Sequence, residues 1–236
     1  MRVMIRGFMR IVISLLAVAF VLISQAKAVT LAVPGTGDLW LAGMPDGSTA
    51  SYSDIAPAQS PAQVLGLDLS PGIVLIFSAS GLTTYDPEIY PAPPDGLSYF
   101  IVNHSTGAEN GISDVIAPMD SLVGLFLDSE QPDSSSAPQT LDFTSNRDYL
   151  SLAPALKQVF FIGDGLTSTG TQQQIVVPAG ASRLFLGTMD TNGWYNNAGS
   201  FSVTVNSIPE PYTIALLGIG AISQLTYVWR RRKRLV

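Results

Sequence analysis

The alternation of apolar and polar residues in the middle of the chain predicts β-strands. In the stretch SFSVTVN at 200–206, every second residue is apolar, and Ser, Thr or Asn stands between them. A period of two places one face of a strand in a core and the other in water. Similar short runs, rich in β-branched and aromatic residues, lie at 73–79, 98–103, 121–127, 158–163, 174–177 and 183–188. No segment between them has the spacing of an amphipathic helix, so the pattern predicts one all-β domain, a β-sandwich.

The N-terminal segment has the pattern of a secretory signal peptide. Three arginines precede an apolar run at 11–23, and an A-x-A site, Ala26 to Ala28, follows it. This arrangement predicts a signal peptide at 1–28 that is cut after Ala28, so that the mature chain begins at Val29. The alternative is a retained N-terminal anchor, which is disfavoured because the apolar run is short and ends in a cleavage motif.

The C-terminal segment has the pattern of a membrane span. Residues 212–229 carry no charge, and a helix of this length is about 27 Å long, enough to cross a bilayer. Five consecutive cations follow at 230–234, which predicts a cytoplasmic C terminus and a body of the protein outside the cytoplasm. Before the span, Pro209, Glu210 and Pro211 predict an exposed, extended segment that a processing enzyme can reach.

The charge of the segment between these two ends restricts the kinds of ligand that the protein can bind. Residues 29–207 contain 3 basic and 17 acidic residues, a formal charge of 3 − 17 = −14. Such a surface repels nucleic acid and anionic lipid and attracts cations or neutral polar ligands. The chain has no cysteine, which excludes disulfides and thiolate chemistry. The polar stretch 129–139 predicts a surface loop, and neither an internal repeat nor a second domain is evident.

The candidate chemistry is therefore that of oxygen ligands. His104 is the one histidine and stands in NHSTG without a nearby G-x-S-x-G elbow, so we expect a solvated loop residue and no enzyme. One histidine without cysteine does not assemble a usual zinc site. Aspartate, asparagine and backbone carbonyls remain, and these suit calcium.

The richest set of such ligands is the stretch GTMDTNGWYNNAGSFSVTV at 187–205. A strand that ends at Asp190, a loop, and then Asn196 and Asn197 before the next strand can direct three side chains at one point. The same residues also suit a hairpin in which Asn and Gly only tolerate positive φ, and spacing alone favours that interpretation.

The tail IPEPYTIALLGIGAISQLTYVWRRRKRLV resembles a PEP-CTERM sorting signal over 208–236. The resemblance implies recognition by an exosortase, cleavage near 209–211 and a transmembrane helix that is temporary. It also implies an exported precursor held in the inner membrane and a mature form at the cell surface or in a polysaccharide matrix. A permanent single-pass anchor is the alternative.

The domain between the two ends, 29–207, resembles the PA-IL-type galactophilic lectins in three ordered blocks. They are PGIVLIFSASGLTTYDP, ENGISDVIAPMDSLVGLFL and the stretch at 187–205. The resemblance implies a galactose-binding-like, jelly-roll-like β-sandwich with a calcium ion. It implies side-chain ligands from Asp190, Asn196 and Asn197 and backbone carbonyl ligands from Tyr85 and Trp194.

The sequence departs from that family where the sugar is held. Gly107 and Asn110 stand in place of the family's histidine and glutamine, so only the amide of Asn110 is a candidate sugar contact. The loop after Asp190 is also one residue shorter. Two functions follow: a calcium-assisted, matrix-associated carbohydrate-binding module, or a non-catalytic structural surface protein in which calcium only stiffens a loop.

Overall fold

The computed structural model describes residues 27–89 and 91–208, together with Gly220 and Gln224 of the tail. Residues 27–208 form one compact unit. The predicted cleavage site begins at its edge, whereas residues 1–26, the Pro-Glu-Pro motif at 209–211 and most of the predicted span at 212–229 lie outside the described residues. Gly220 and Gln224 have helical backbone. In the described part of the chain, no helix is long and apolar enough to cross a membrane.

The unit 27–208 is built from strands and three short 3-10 helices. The strands are β1 (Ala28–Pro34), β2 (Thr49–Ala50), β3 (Asp54–Ile55), β4 (Ala62–Val64), β5 (Val74–Thr84), β6 (Leu97–Asn103), β7 (Val115–Met119), β8 (Leu122–Leu127), β9 (Leu141–Asp142), β10 (Ser151–Leu152), β11 (Phe160–Phe161), β12 (Gln174–Val176), β13 (Arg183–Thr188) and β14 (Ala198–Ile208). The 3-10 helices are Leu39–Leu41, Pro132–Ser134 and Trp194–Asn196.

Two larger sheets carry the core. One has the order β1-β14-β5-β12-β10 and the other β11-β8-β13-β4; a three-stranded sheet β6-β7-β9 and the hairpin β2-β3 complete the unit. Most neighbours are antiparallel, and β10 with β12 and β7 with β9 are parallel. The sheets are open, and the fold is all-β, as the sequence predicts and as a β-sandwich requires.

The pattern of burial follows the predicted alternation. In β14 the side chains of Phe201, Val203 and Val205 are fully buried. All six residues of β8 are buried, because this strand lies inside its sheet and is covered on both faces. Trp40 and Trp194 are the largest side chains in the core.

The observed strands differ from the predicted ones where proline or glycine interrupts the pattern. β13 has the predicted bounds, whereas β5 continues through Gly81 to Thr84. β7 was not predicted because Pro118 removes a ladder donor from its middle. β1 was not predicted because its first residues adjoin the signal-like segment, and pairing with β14 forms it.

Strand β14 runs from the chain termini of the unit to the region around Tyr85 and Asn197. At its C-terminal end Asn206 pairs with Ala28, and the Ser207 N–H donates to the Lys27 carbonyl at 3.0 Å, so the two ends of the unit lie side by side. At its N-terminal end Ala198 pairs with Thr84, which brings Asn197 next to Tyr85. The nine residue steps of β14 from Ala198 to Ser207 separate these ends by about 30 Å.

Candidate metal site

Three chain segments meet at the N-terminal end of β14. The Ala198–Thr84 pair joins the loop after β13 to the end of β5. The turn between β7 and β8 joins them, because the Asp120 N–H donates to the Met189 carbonyl at 2.8 Å and the Met189 N–H donates to the Ser121 carbonyl at 2.8 Å. These backbone bonds place Tyr85, Asp120, Asp190 and Asn197 in one region.

Asp190 is the buried carboxylate at the start of the loop. Its side chain is 3% exposed, and its Oδ1 accepts a hydrogen bond from the Thr191 N–H at 2.5 Å. Burial raises the pKa of Asp190 to about 6, although hydrogen bonds from Asn197 and the loop backbone oppose the shift. A carboxylate in this position gains from a nearby cation.

Asn197 supplies a buried amide oxygen beside Asp190. Its Nδ2 donates to the Gly35 carbonyl at 3.1 Å, which fixes the orientation of the amide. Its Oδ1 is buried and has no hydrogen-bond partner within the described residues. Since buried polar atoms in native proteins normally have partners, this oxygen is a candidate cation ligand.

Asp120 is a functional candidate that the sequence analysis missed. Its side chain is fully buried, and both carboxylate oxygens lack a hydrogen-bond partner among the residues that the structure describes. Burial and then the charge of Asp190 raise the pKa of Asp120 to about 7, while the nearby backbone N–H of Tyr85, outside hydrogen-bonding geometry, opposes the shift. The one sequence signal is an aspartate between two hydrophobic strands, which equally suits an ordinary turn.

The loop between Asp190 and Asn197 is held in place by Asp54. The two carboxylate oxygens of Asp54 accept the Trp194 N–H at 2.9 Å and the Tyr195 N–H at 3.0 Å. The indole of Trp194 is buried and donates to the Thr188 carbonyl at 2.9 Å. The 3-10 helix Trp194–Asn196 is thus held by Asp54 of the β2-β3 hairpin and by the buried Trp194 indole.

The predicted calcium ligands therefore divide into three residues that lie together and two that lie elsewhere on the same loop. Tyr85, Asp190 and Asn197 lie together. Asn196 is exposed on the same loop, and the Trp194 carbonyl accepts the Asn197 N–H at 3.1 Å within the 3-10 helix. The predicted sugar contact, Asn110, uses its amide nitrogen inside the fold.

The contacts of Asn110 and its neighbours explain that internal role. Its Nδ2 donates to the Trp40 carbonyl at 2.9 Å and to the Thr49 carbonyl at 3.1 Å. The carbonyl of Gly107, the other position aligned with a sugar ligand, lies 2.7 Å from His104 Nδ1. Both residues thus support the segment between β6 and β7.

His104 corrects one expectation, because it is fully buried rather than a solvated loop residue. Its ring stacks on Trp40 with the centroids 3.9 Å apart. Nδ1 donates to the Gly107 carbonyl, so Nε2 accepts the Ser51 hydroxyl at 2.5 Å. Burial lowers the pKa of His104. The sequence could not show the burial of His104, because Trp40, on which its ring stacks, lies 64 positions earlier in the chain.

The basic residues of the unit do not neutralise its acids. Lys157 Nζ donates to the carbonyls of Pro132, Ser135 and Ser136, and Arg183 Nε donates to the Asp128 carbonyl. Across 27–89 and 91–208, no Lys or Arg pairs with a carboxylate, and the neutral His104 ring lies 3.5 Å from the Glu109 carboxylate. The same residues contain no group of three or more His, Cys, Asp or Glu side chains placed to hold a metal. Any site must combine carboxylates with amide and carbonyl oxygens.

A cleft lies apart from these residues. Asp95, Arg147 and Ser168 are among the residues that line it, and its volume is about 490 Å³. None of the predicted site residues lines this cleft.

The unit is thus an all-β domain with buried carboxylate and amide oxygens at one end of its larger sheet. Comparison with known families shows that residues 207–233 match the PEP-CTERM protein-sorting motif, which confirms that part of the sequence prediction. The chain carries an exosortase-type sorting signal at its C terminus.

The chain is also similar to a solved structure described as the EclA N-terminal domain, a PllA-like lectin. The two are 15% identical, the match covers 76% of this chain and 95% of that one, and the TM-score is 0.35. A similarity at this level carries no inference about the fold or the ligand of this chain. No curated protein sequence matches the chain at a significant level.

Proposed function

We propose that the unit 27–208 is a calcium-assisted carbohydrate-binding module of a galactose-binding-like, jelly-roll type. The PEP-CTERM motif delivers it to the cell surface or the polysaccharide matrix. The observation that carries the proposal is the buried pair of Asp190 and Asn197, in which the Asn197 Oδ1 lacks a partner among the described residues. A cation bound there would satisfy this oxygen and compensate the charge of the Asp190 carboxylate.

Calcium fits these ligands better than a transition metal. Carboxylate, side-chain amide and backbone carbonyl oxygens are hard ligands, and calcium takes six to eight of them in flexible geometry. Asp190 and Asn197 would bind through side chains and Tyr85 through its carbonyl. Asn196 and the carbonyl of Trp194 belong to the same loop and would complete the shell. The bound calcium would supply a Lewis-acidic centre for hydroxyl groups.

A neutral, hydroxylated ligand fits the surface around this loop. Asn196 is exposed, and Tyr195 is 58% exposed, so a ligand can reach the loop from solvent. The formal charge of −14 over 29–207 opposes polyanions such as nucleic acid. We expect two adjacent sugar hydroxyls to contact the calcium, while Tyr195 offers an aromatic face to the sugar ring.

The sorting motif supports a location outside the cytoplasm for this binding. An exosortase-type enzyme would cut the precursor near Pro209–Pro211 after export, with the basic end at 230–234 on the cytoplasmic side of the inner membrane. The released module would then meet the exopolysaccharide of its own cell surface.

A glycan array tests the sugar part of the proposal. The full-length chain in nonionic detergent is applied in calcium, in EGTA, and as the variants Asp190→Asn and Asp148→Asn. Asp148 is exposed and hydrogen-bonded to Ser168, so its variant is the matched control. We expect glycan binding in calcium that EGTA and Asp190→Asn abolish and Asp148→Asn preserves. Binding that is equal in EGTA would contradict the proposal.

The second candidate is a structural surface protein in which calcium only stiffens the loop. The internal hydrogen bonds of Asn110 favour it, because the amide predicted to hold sugar is already engaged. This candidate predicts a calcium-dependent rise of the melting temperature with no glycan bound on the array.

A further inference from the structure

Among the described residues, Asp120 combines an unpartnered buried carboxylate with a left-handed backbone. Both oxygens of that carboxylate lack a partner within the described part of the chain. Its backbone has a φ of 64°, a conformation that L-residues other than Asn and Asp rarely adopt. A buried charge without compensation is destabilising, whereas aspartate is one of the few L-residues that tolerate a left-handed backbone.

The surrounding contacts hold Asp120 in this position. Its N–H donates to the Met189 carbonyl at 2.8 Å, and its carbonyl accepts the Thr83 hydroxyl at 3.1 Å. The first bond fixes it to the strand that leads into Asp190, and the second to the strand that leads into Tyr85. The backbone of Asp120 is therefore tied to both segments that supply proposed calcium ligands.

We propose that Asp120 supplies a second carboxylate to the calcium ion, in addition to that of Asp190. This inference rests on the proposed function, since it assumes that the ion binds at Asp190 and Asn197. The site then has two carboxylates, one from the β7–β8 turn and one from the loop after β13. Their combined charge of −2 matches a divalent cation.

The second carboxylate changes which cations the site binds most tightly. Calcium affinity in proteins depends on the charge count of the ligands, so two carboxylates favour tighter binding and a preference for divalent over monovalent cations. Without the ion, Asp120 and Asp190 repel each other. The ion is thus the counter-charge that joins two segments about 70 residues apart in sequence.

The test measures calcium binding by the full-length chain in nonionic detergent with Asp120→Asn, Asp190→Asn and Asp95→Asn. Asn also tolerates a left-handed backbone, so Asp120→Asn removes a charge with little change of backbone preference. Asp95 lines the separate cleft and is the control. Calorimetric titration with calcium chloride gives the dissociation constant, and thermal melts in EGTA give the stability of the metal-free protein.

We expect Asp120→Asn to bind calcium about 10-fold to 100-fold more weakly, while Asp95→Asn stays within about twofold of wild type. In EGTA we expect Asp120→Asn to melt at a higher temperature than wild type, because one of two repelling carboxylates is gone. A purely structural role for Asp120 would instead lower the melting temperature in EGTA, and that result would overturn the inference.

The outcomes separate this inference from the proposed function. Wild type that binds no calcium overturns both. Wild type that binds calcium, together with Asp120→Asn at an unchanged dissociation constant, overturns only the role of Asp120. If Asp120→Asn does not fold, Asp120→Gly removes the carboxylate while keeping a backbone suited to a φ of 64°, and the same comparison applies.

Discussion

Asp38 is a buried acid outside the candidate metal site. Its Oδ1 accepts the Trp40 N–H at 2.8 Å, and its Oδ2 has no partner in the described chain. Burial raises the pKa of Asp38 well above its usual range, and the charges of Asp54, Glu109 and Asp190 add to the shift. The folded protein therefore holds a proton on Asp38 that the unfolded chain releases above about pH 4.

The sign of the pH dependence follows from this proton. Because the folded pKa is the higher one, Asp38 favours folding most at low pH, and that contribution is lost as the pH rises above the unfolded value. We expect Asp38→Asn to reduce the fall in the free energy of unfolding between about pH 4.5 and 7.5. Urea denaturation in EGTA at several pH values measures the free energy of unfolding of wild type and of Asp38→Asn.

Asp148 provides the control of opposite sign. Hydrogen bonds from Ser168 lower the pKa of Asp148, so this carboxylate favours folding more as the pH rises. That contribution is complete above the unfolded pKa near 4, so Asp148→Asn should leave the fall between about pH 4.5 and 7.5 unchanged. A pH dependence of Asp38→Asn equal to that of wild type would show that Asp38 is ionised in the folded state.

The residues that the sequence could predict are those that stand close together in the chain. Asp190, Asn196 and Asn197 could be proposed as ligands because they lie within eight positions of one another. Asp120 was missed because only a backbone ladder joins it to Met189, and no local spacing signals that contact. The burial of His104 was missed for the same reason, since it depends on Trp40 and Ser51.

At the scale of the element, the joint between β5 and β14 positions the candidate site. Gly199 follows Asn197 by two residues and has a φ of 82°. A Cβ on Gly199 would overlap the carbonyl of Leu82 on β5, so this glycine permits the close pairing of the two strands. The glycine in NNAGS is thus required by strand pairing.

We expect Gly199→Ala to destabilise the unit by more than about 2 kcal/mol. A positive φ alone costs an alanine about 1–2 kcal/mol, and the overlap with Leu82 adds to it. Gly170 is the matched control: its φ is 80°, and among the described atoms nothing lies within 4 Å of a Cβ built there. Urea denaturation of both variants measures the difference, and equal losses would show that the strands adjust without cost.

The strands were predictable in proportion to their length and regularity. The runs that became β13 and β14 were found because apolar residues there recur without interruption, and both strands lie inside their sheets. Short elements such as β2 and β3 depend on tertiary contacts, among them the hydrogen bond that the Ser51 N–H donates to the Glu109 carboxylate. The order of strands in the sheets could not be derived, because long-range pairing leaves no periodic signal in one sequence.

At the scale of the molecule, the two ends of the unit leave the same edge of the larger sheet. Lys27 and Ser207 are joined by two hydrogen bonds, whereas the candidate metal site lies at the opposite end of β14. The predicted cleavage site after Ala28 therefore lies beside Ser207, the residue at which the match to the sorting motif begins. Both ends of the described unit lie about 30 Å along β14 from the residues proposed to bind calcium.

This separation predicts that cleavage at the two ends leaves the proposed calcium binding unchanged. We expect material released from the cell surface to begin at Val29 and to lack residues 212–236. Cleavage after Ala28 removes the Ala28–Asn206 pair and both Lys27–Ser207 hydrogen bonds, which are end contacts of β1, while Val29–Pro34 stays paired with β14.

Mass spectrometry of the released protein gives its two termini, and calcium titration compares it with the full-length chain in detergent. We expect dissociation constants within about twofold of each other, because none of the proposed ligands lies at the processed edge and distant sites act independently. Intact C termini on all surface material would indicate a permanent anchor. Weaker calcium binding after cleavage would mean that the end contacts of β1 and β14 influence the far end of the sheet.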